Sequence, residues 1–205
     1  MNNSKIFLIF REIKVGSLIA VYDNFLSYEL INRIENEINA LNVEEYHKVK
    51  FLFNWLPNEI IKEKNVIKYS ENISGKLFSN LSKDIRANIA IKYGFDAFDT
   101  QIHFDNKSLL NIVVPIFMRE LKDSGLVIFP LFPSFLLRPF LKFKLISKII
   151  RKNKLIKVLF RAKHIKYETN KGYIFKGSKL AHGVFFKPLS QDSLRAVLTI
   201  NFRKF

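Results

Sequence analysis

Cysteine is absent from the 205-residue chain. That excludes disulfides, thiolate metal sites and cysteine nucleophiles together, and it fits a reducing compartment such as the cytoplasm. Long apolar runs are also missing. The most apolar window, "GLVIFPLFPSFLL" (125–137), is 13 residues with two prolines, short of the ~20 needed to span a bilayer. The N-terminal "KIFLIF" is too short for a signal-peptide core and no small-residue cleavage site follows it, so no membrane crossing is expected. Acidic side chains are absent from Ser124 to Tyr167, where eleven Lys or Arg fall between Arg138 and Lys166. Histidine is scarce, with four in all, so a histidine-based site has few places to form.

What is present describes a globular chain. Hydrophobic residues make up 48% and charged residues 25%, too apolar for disorder, and the length predicts one domain over 1–205. The net charge of +16 points to an anionic partner, although a lysine-rich composition alone produces such a value. The first half reads as strand and helix. "LIAVYDNF" (18–25) predicts a strand, and Ser27 an N-cap for a helix with Leu30, Ile31, Ile34, Ile38 and Leu41 on its apolar face. The spacing of Ile73, Leu77, Leu81 and Ile85 predicts a second helix, with "FLFNWLPNEI" as an aromatic core loop between the two. From residue 99 short β-rich segments take over: "TQIHF", "SLLNIVVPI", "GLVIF", "HIKYE", "YIFKG" and "LRAVLTINF". Helices first and many short strands afterwards predict an α+β chain with a jelly-roll core and supporting N-terminal helices.

One segment breaks the strand pattern. In "LKFKLISKIIRKNKLIKVLF" (141–160) the apolar residues Leu141, Leu145, Ile146, Ile149 and Ile150 share a helical face, with lysines and Arg151 mostly opposite. Residues 138–163 therefore read as a basic amphipathic insert, one helix or two broken near Asn153. Peripheral contact with an anionic membrane surface, a lid over a binding site and a simply solvated face all fit this composition.

Chemistry concentrates elsewhere. His103 and Asp105 are two apart on a strand, so both point to one side and Phe104 to the other. Such a pair grips one metal ion, and also occurs as an ordinary surface pair. His182, in "GSKLAHGV", supplies a third donor at the start of a late strand. Two histidines and one carboxylate make the facial triad of non-haem Fe(II) oxygenases, which leaves coordination positions open. Alternation in the last strand puts Arg195, Val197, Thr199 and Asn201 on one face. An arginine facing a barrel interior is costly unless it meets an anion such as a dicarboxylate. Gln101 shares the face of His103 and Asp105, and Asn111 that of Val113 and Pro115, so both are placed to line a pocket. His47 and His164 sit among charges and read as solvated, while Tyr173 and Phe175 read as packing residues.

His-x-Asp, a distal histidine and an arginine shortly after it resemble the 2-oxoglutarate/Fe(II)-dependent dioxygenase superfamily. "VYDNFLSYELINRI" is similar to the strand-then-helix opening of its prolyl-hydroxylase-like and phytanoyl-hydroxylase-like branches. "SLLNIVVPI", "GLVIFP" and "YIFKGSKLAHGV" look like strands of its double-stranded β-helix. The resemblance implies Fe(II) held by His103, Asp105 and His182, with 2-oxoglutarate and O2 as cosubstrates. It implies Arg195 on the distal carboxylate; Thr199, Asn111 and Gln101, from their own strand faces, are expected as further cosubstrate contacts, with ordinary structural roles the alternative for the two amides. Oxidative decarboxylation of 2-oxoglutarate to succinate would then drive oxidation of a small or carrier-bound metabolite. Asp105 favours hydroxylation, since related halogenases lack this carboxylate.

Two departures narrow the reading. Ala196 and Val197 follow Arg195 where the family often has Arg-x-Ser, which leaves Thr199 as the hydroxyl. "RAVLTINFR" lacks the spacing of the alkylated-base-repair branch, which argues against nucleic acid as partner. Alternatives from other classes are a non-catalytic basic binding module on a jelly-roll scaffold, and a cupin-like metal enzyme without the cosubstrate.

Overall fold

The computed structural model describes residues 19–42, 53–68, 85–94, 102–105, 108–130, 149 and 153–203. Eight strands are present among them: β1 (Ile19–Tyr22), β2 (Ile85–Tyr93), β3 (Ser108–Arg119), β4 (Leu121–Phe129), β5 (Lys163–Lys166), β6 (Gly172–Phe175), β7 (Ala181–Pro188) and β8 (Leu194–Arg203). They form a five-stranded sheet in the order β1-β6-β3-β8-β2 and a three-stranded sheet in the order β5-β4-β7. Every strand pairing is antiparallel. The fold is α+β with a jelly-roll core, as the order of helical and strand patterns in the sequence predicts.

Alternation along the strands of the larger sheet separates two environments. Leu110, Ile112, Val114 and Ile116 of β3, with Ala196, Leu198 and Ile200 of β8, face outward into a core shared with Ile85, Ala87 and Ile89 of β2. Helix α1 (Tyr28–Asn39) closes that core with Leu30, Ile31, Ile34 and Ile38, and Ser27 caps it by accepting from Leu30 N. The opposite side chains, including Val113, Tyr173, Phe175 and Val197, meet Leu126, Ile128 and Leu180 between the sheets. A one-residue slip in β3 or β8 would exchange the two environments, so burial on both faces fixes the register.

Two expectations are corrected. Ile85 does not end a helix; it opens β2, where Ile85, Ala87 and Ile89 are buried on one face. Residues 73 to 84 of the expected helix lie outside the described residues. The aromatic loop holds a short helix, α2 (Leu56–Ile60), because Pro57 fits its first turn and Leu56 and Ile60 both reach the core. Phe53 is buried there too, as core rather than site.

Of the basic insert, residue 149 and residues from 153 onward are described. Helix α3 (Lys154–Leu159) starts at Asn153, whose side chain accepts from Ile156 N and caps it. Ile156 and Phe160 pack on the outer face of the smaller sheet, against Ile102, Phe104, Val127, Phe129, Ala181 and Phe185.

Close approach of β4 and β5 depends on Gly125. A Cβ there would collide with the Ile165 carbonyl oxygen and come within 3 Å of the Phe185 ring. Gly125→Ala is expected to lower unfolding free energy by about 2–3 kcal/mol, read as a fall in the thermal midpoint without loss of secondary structure.

Candidate metal and anion site

Three strand regions converge at one end of the space between the sheets. His103 forms an isolated antiparallel bridge with His182. Each backbone N–H donates to the other's carbonyl, at 2.9 and 3.0 Å. That reciprocal pairing sets the two imidazoles side by side, with ring centroids 4.4 Å apart. Asp105 N donates to Gly177 O at 3.0 Å, which anchors the carboxylate-bearing residue to the loop ahead of β7. Phe104, between them, turns the other way into the outer cluster, as strand alternation predicts.

The ligand atoms of His103, Asp105 and His182 all lie within 4.8 Å of one another. His103 Nε2 is 3.4 Å from Asp105 Oδ1, and His182 Nε2 is 3.1 Å from Asp105 Oδ2. Donors bonded at ~2.1 Å in adjacent octahedral positions sit ~3 Å apart, so these separations match the approach to a common ion. His182 is buried, and its Nδ1 donates to Leu180 O at 2.9 Å. A carbonyl only accepts, so the proton is fixed on Nδ1 and the Nε2 lone pair is left for a metal. Without a metal, burial opposes ionisation of Asp105, but when the two imidazoles carry Nε2 protons their hydrogen bonds and charge outweigh it and hold the carboxyl far below the usual carboxylate range; a bound ion would take the place of those protons. The donor set of two imidazoles and a carboxylate suits a borderline divalent ion such as Fe(II).

Asn111 supports the carboxylate. Its Nδ2 donates a short hydrogen bond to Asp105 Oδ2, and a Cβ on Gly177 would lie 2.7 Å from that oxygen and 2.8 Å from the Asn111 amide. The absence of a side chain at Gly177 is what lets amide and carboxylate meet. Asn111→Val keeps the volume and removes the donor. It is expected to weaken iron retention by ~10-fold, within the range for loss of an outer hydrogen bond, measured by competition with a chelator.

The triad opens into a cavity of about 260 Å³ whose lining includes Asn111, Tyr167, Arg195, Thr199 and Asn201. Arg195 is 3% exposed. One terminal nitrogen donates to Ser124 Oγ at 3.3 Å and Phe185 O at 3.4 Å, and the guanidinium lies 5.4 Å from the Phe186 ring centroid. Among the described residues the buried Tyr167 hydroxyl and Asn111 Oδ1 have no hydrogen-bond partner. Burial pushes the Tyr167 phenol up, with the Arg195 charge working the other way, so the hydroxyl stays protonated as a donor. A buried cation held by Ser124, with a hydroxyl donor lining the same cavity, forms a setting for a carboxylate.

Six of the seven residues singled out in the sequence line this single cavity: His103, Asp105, His182, Asn111, Arg195 and Thr199. Gln101 lies outside the described residues, as does His47. Thr199 faces inward, and its hydroxyl donates to Asn88 O at 3.2 Å. Tyr173 is a packing residue whose hydroxyl bridges Lys166 O and Glu168 N. His164 is exposed on β5. None of the described residues 153–162 is among those lining the cavity, so α3 lies behind the ligand strands. Sequence reasoning missed Tyr167, Ser124 and Lys92. Tyr167 and Lys92 line the cavity, and Lys92 pairs in register with Arg195.

No family model and no curated protein sequence matches the chain. Solved structures do. HygX from Streptomyces hygroscopicus, with nickel, 2-oxoglutarate and hygromycin B bound, is similar at a TM-score of 0.56 and 9% identity, covering 100% of this chain and 89% of its own. A Pseudomonas putida prolyl-4-hydroxylase is similar at 0.55 and 12%, covering 97% and 93%. SnoN, a non-haem α-ketoglutarate-dependent epimerase from nogalamycin biosynthesis, is similar at 0.61 and 7%, covering 99% and 87%.

Proposed function

We propose that this chain, built on the double-stranded β-helix fold of the 2-oxoglutarate/Fe(II) oxygenases, is itself an Fe(II)- and 2-oxoglutarate-dependent oxygenase. The observation that carries the reading is the convergence of three donor atoms within 4.8 Å on the cavity that also receives the buried Arg195. His103, Asp105 and His182 would hold the iron. Arg195, with Tyr167 and Ser124 beside it, would take the distal carboxylate of the cosubstrate. Bound there, iron and 2-oxoglutarate would supply O2 activation for substrate oxidation, chemistry that belongs to the cofactor rather than to the side chains.

What the chain supplies is orientation and exclusion of water. Leu180 O keeps the His182 ring in one tautomer, and Asn111 keeps one Asp105 oxygen directed. Leu126, Val113, Val184 and Val197 give the cavity apolar walls, so the buried cation acts in a low dielectric. Presence of Asp105 in the triad favours hydroxylation over halogenation. The structural neighbours include an epimerase, and one was crystallised with hygromycin B. These accord with a small or carrier-bound metabolite as substrate of this chain.

Anaerobic titration with Fe(II) and 2-oxoglutarate tests the reading. A weak visible charge-transfer band, appearing only with both components, is expected. Iron uptake without a band on adding 2-oxoglutarate would point to a cupin-like metal enzyme. Absence of iron uptake would point to a binding module on the same scaffold.

A further inference from the structure

Helix α3 has two apolar sides, and the fold uses one. Ile156 and Phe160 pack into the cluster on the outer face of the smaller sheet. Leu155, Val158 and Leu159, at i, i+3 and i+4, share another face and are 80%, 76% and 68% exposed. Ile149, whose carbonyl accepts from Asn153 N, is half exposed just before the helix. Aliphatic side chains this exposed on consecutive turns are a costly way to finish a surface unless something apolar covers them.

The charge around them identifies what. No acidic residue occurs from Ser124 to Tyr167, and eleven Lys or Arg lie between Arg138 and Lys166. Lys157, Arg161 and Lys163 flank the aliphatic face at solvent-accessible positions. Aliphatic side chains beside these cations, in a stretch of sequence without an acidic residue, match the boundary between acyl chains and anionic headgroups. Nucleic acid fits less well: a duplex is held through its phosphates and would leave Leu155, Val158 and Leu159 uncovered, and a single strand calls for stacking rings rather than aliphatic side chains.

We infer that α3 docks on an anionic phospholipid surface, with Leu155, Val158 and Leu159 entering the headgroup layer and Lys157, Arg161 and Lys163 contacting lipid phosphates. The inference stands on the outer face of the protein and is independent of iron or 2-oxoglutarate in the cavity. The cluster beneath α3 contains Phe104 and Ala181, each adjacent in sequence to a metal-ligand candidate, so docking would hold the ligand-bearing strands near the membrane.

Flotation of the full chain with lipid vesicles tests this. The wild type is expected to float with phosphatidylcholine vesicles containing phosphatidylglycerol, to float poorly with phosphatidylcholine alone, and to release at high salt. Leu155→Ser, Val158→Ser and Leu159→Ser together should reduce partition by at least ~10-fold with the thermal midpoint unchanged, since all three are exposed. Lys157→Gln and Lys163→Gln should each reduce it ~5-fold, the effect of one cation near such a surface. Equal flotation of wild type and triple variant would overturn the inference, as would equal binding to neutral vesicles. So would a wild-type dimer that the triple substitution dissociates, which would make a second copy the occupant. Binding to a duplex oligonucleotide without flotation would assign the charge to nucleic acid and overturn it too.

Discussion

Replacing either His182 or Asp105 by alanine is expected to lower iron binding by more than ~100-fold and to abolish iron-dependent 2-oxoglutarate consumption. The size exceeds what loss of a supporting hydrogen bond gives, because each substitution removes one of three donors. The two variants differ in a way that checks the geometry. Asp105→Ala removes the only anion of the triad and leaves two imidazoles whose ring centroids are 4.4 Å apart, a pair that retains weak affinity for ions favouring nitrogen. His182→Ala removes the donor whose tautomer Leu180 O fixes, and leaves His103 and Asp105 as a two-point grip. Chelator competition reads both losses directly, and an unchanged thermal midpoint without metal separates them from misfolding. Retention of iron by both variants would rule out the triad.

Arg195→Met should separate cosubstrate binding from stability. The guanidinium is 3% exposed and its contacts include a hydroxyl, a carbonyl and an aromatic ring. Methionine of similar length removes a charge that burial penalises, so the thermal midpoint is expected to hold or rise. Apparent affinity for 2-oxoglutarate should fall ~30-fold or more, the loss of at least ~2 kcal/mol of charge-assisted hydrogen bonding, while iron affinity stays near the wild-type value. Calorimetric titration of the iron-loaded variant measures the first, and chelator competition the second. A variant that loses iron and cosubstrate alike would place Arg195 in the fold rather than in the anion site.

The parts of the site that were legible in the sequence are those that strand periodicity controls. His103 and Asp105 share a side because they are two apart, and Arg195 and Thr199 share the cavity face of β8 for the same reason. His182 stood out because histidine is scarce and a glycine turn precedes it. Tyr167 and Ser124 gave no signal: they meet Arg195 through the pairing of β4 with its neighbours, a relation that sequence distance does not encode. Ile85 was misread because Ile73, Leu77, Leu81 and Ile85 happen to continue at four-residue spacing, while the alternation of β2 itself begins only there. The helical turn at Leu56 was masked by its aromatic neighbours, although Pro57 is a residue that helix starts accept.

The reciprocal backbone bridge between His103 and His182 has a consequence for metal exchange. Main-chain hydrogen bonds, not an ion, hold these two donors at chelating separation, in the manner of a macrocycle closed before its guest arrives. The entropy of drawing together residues nearly eighty positions apart is met by folding, so binding has little of it left to overcome. A chain built this way would release a bound ion and take up another without melting, so that, with iron in the proposed site, occupancy would follow the free iron of its surroundings.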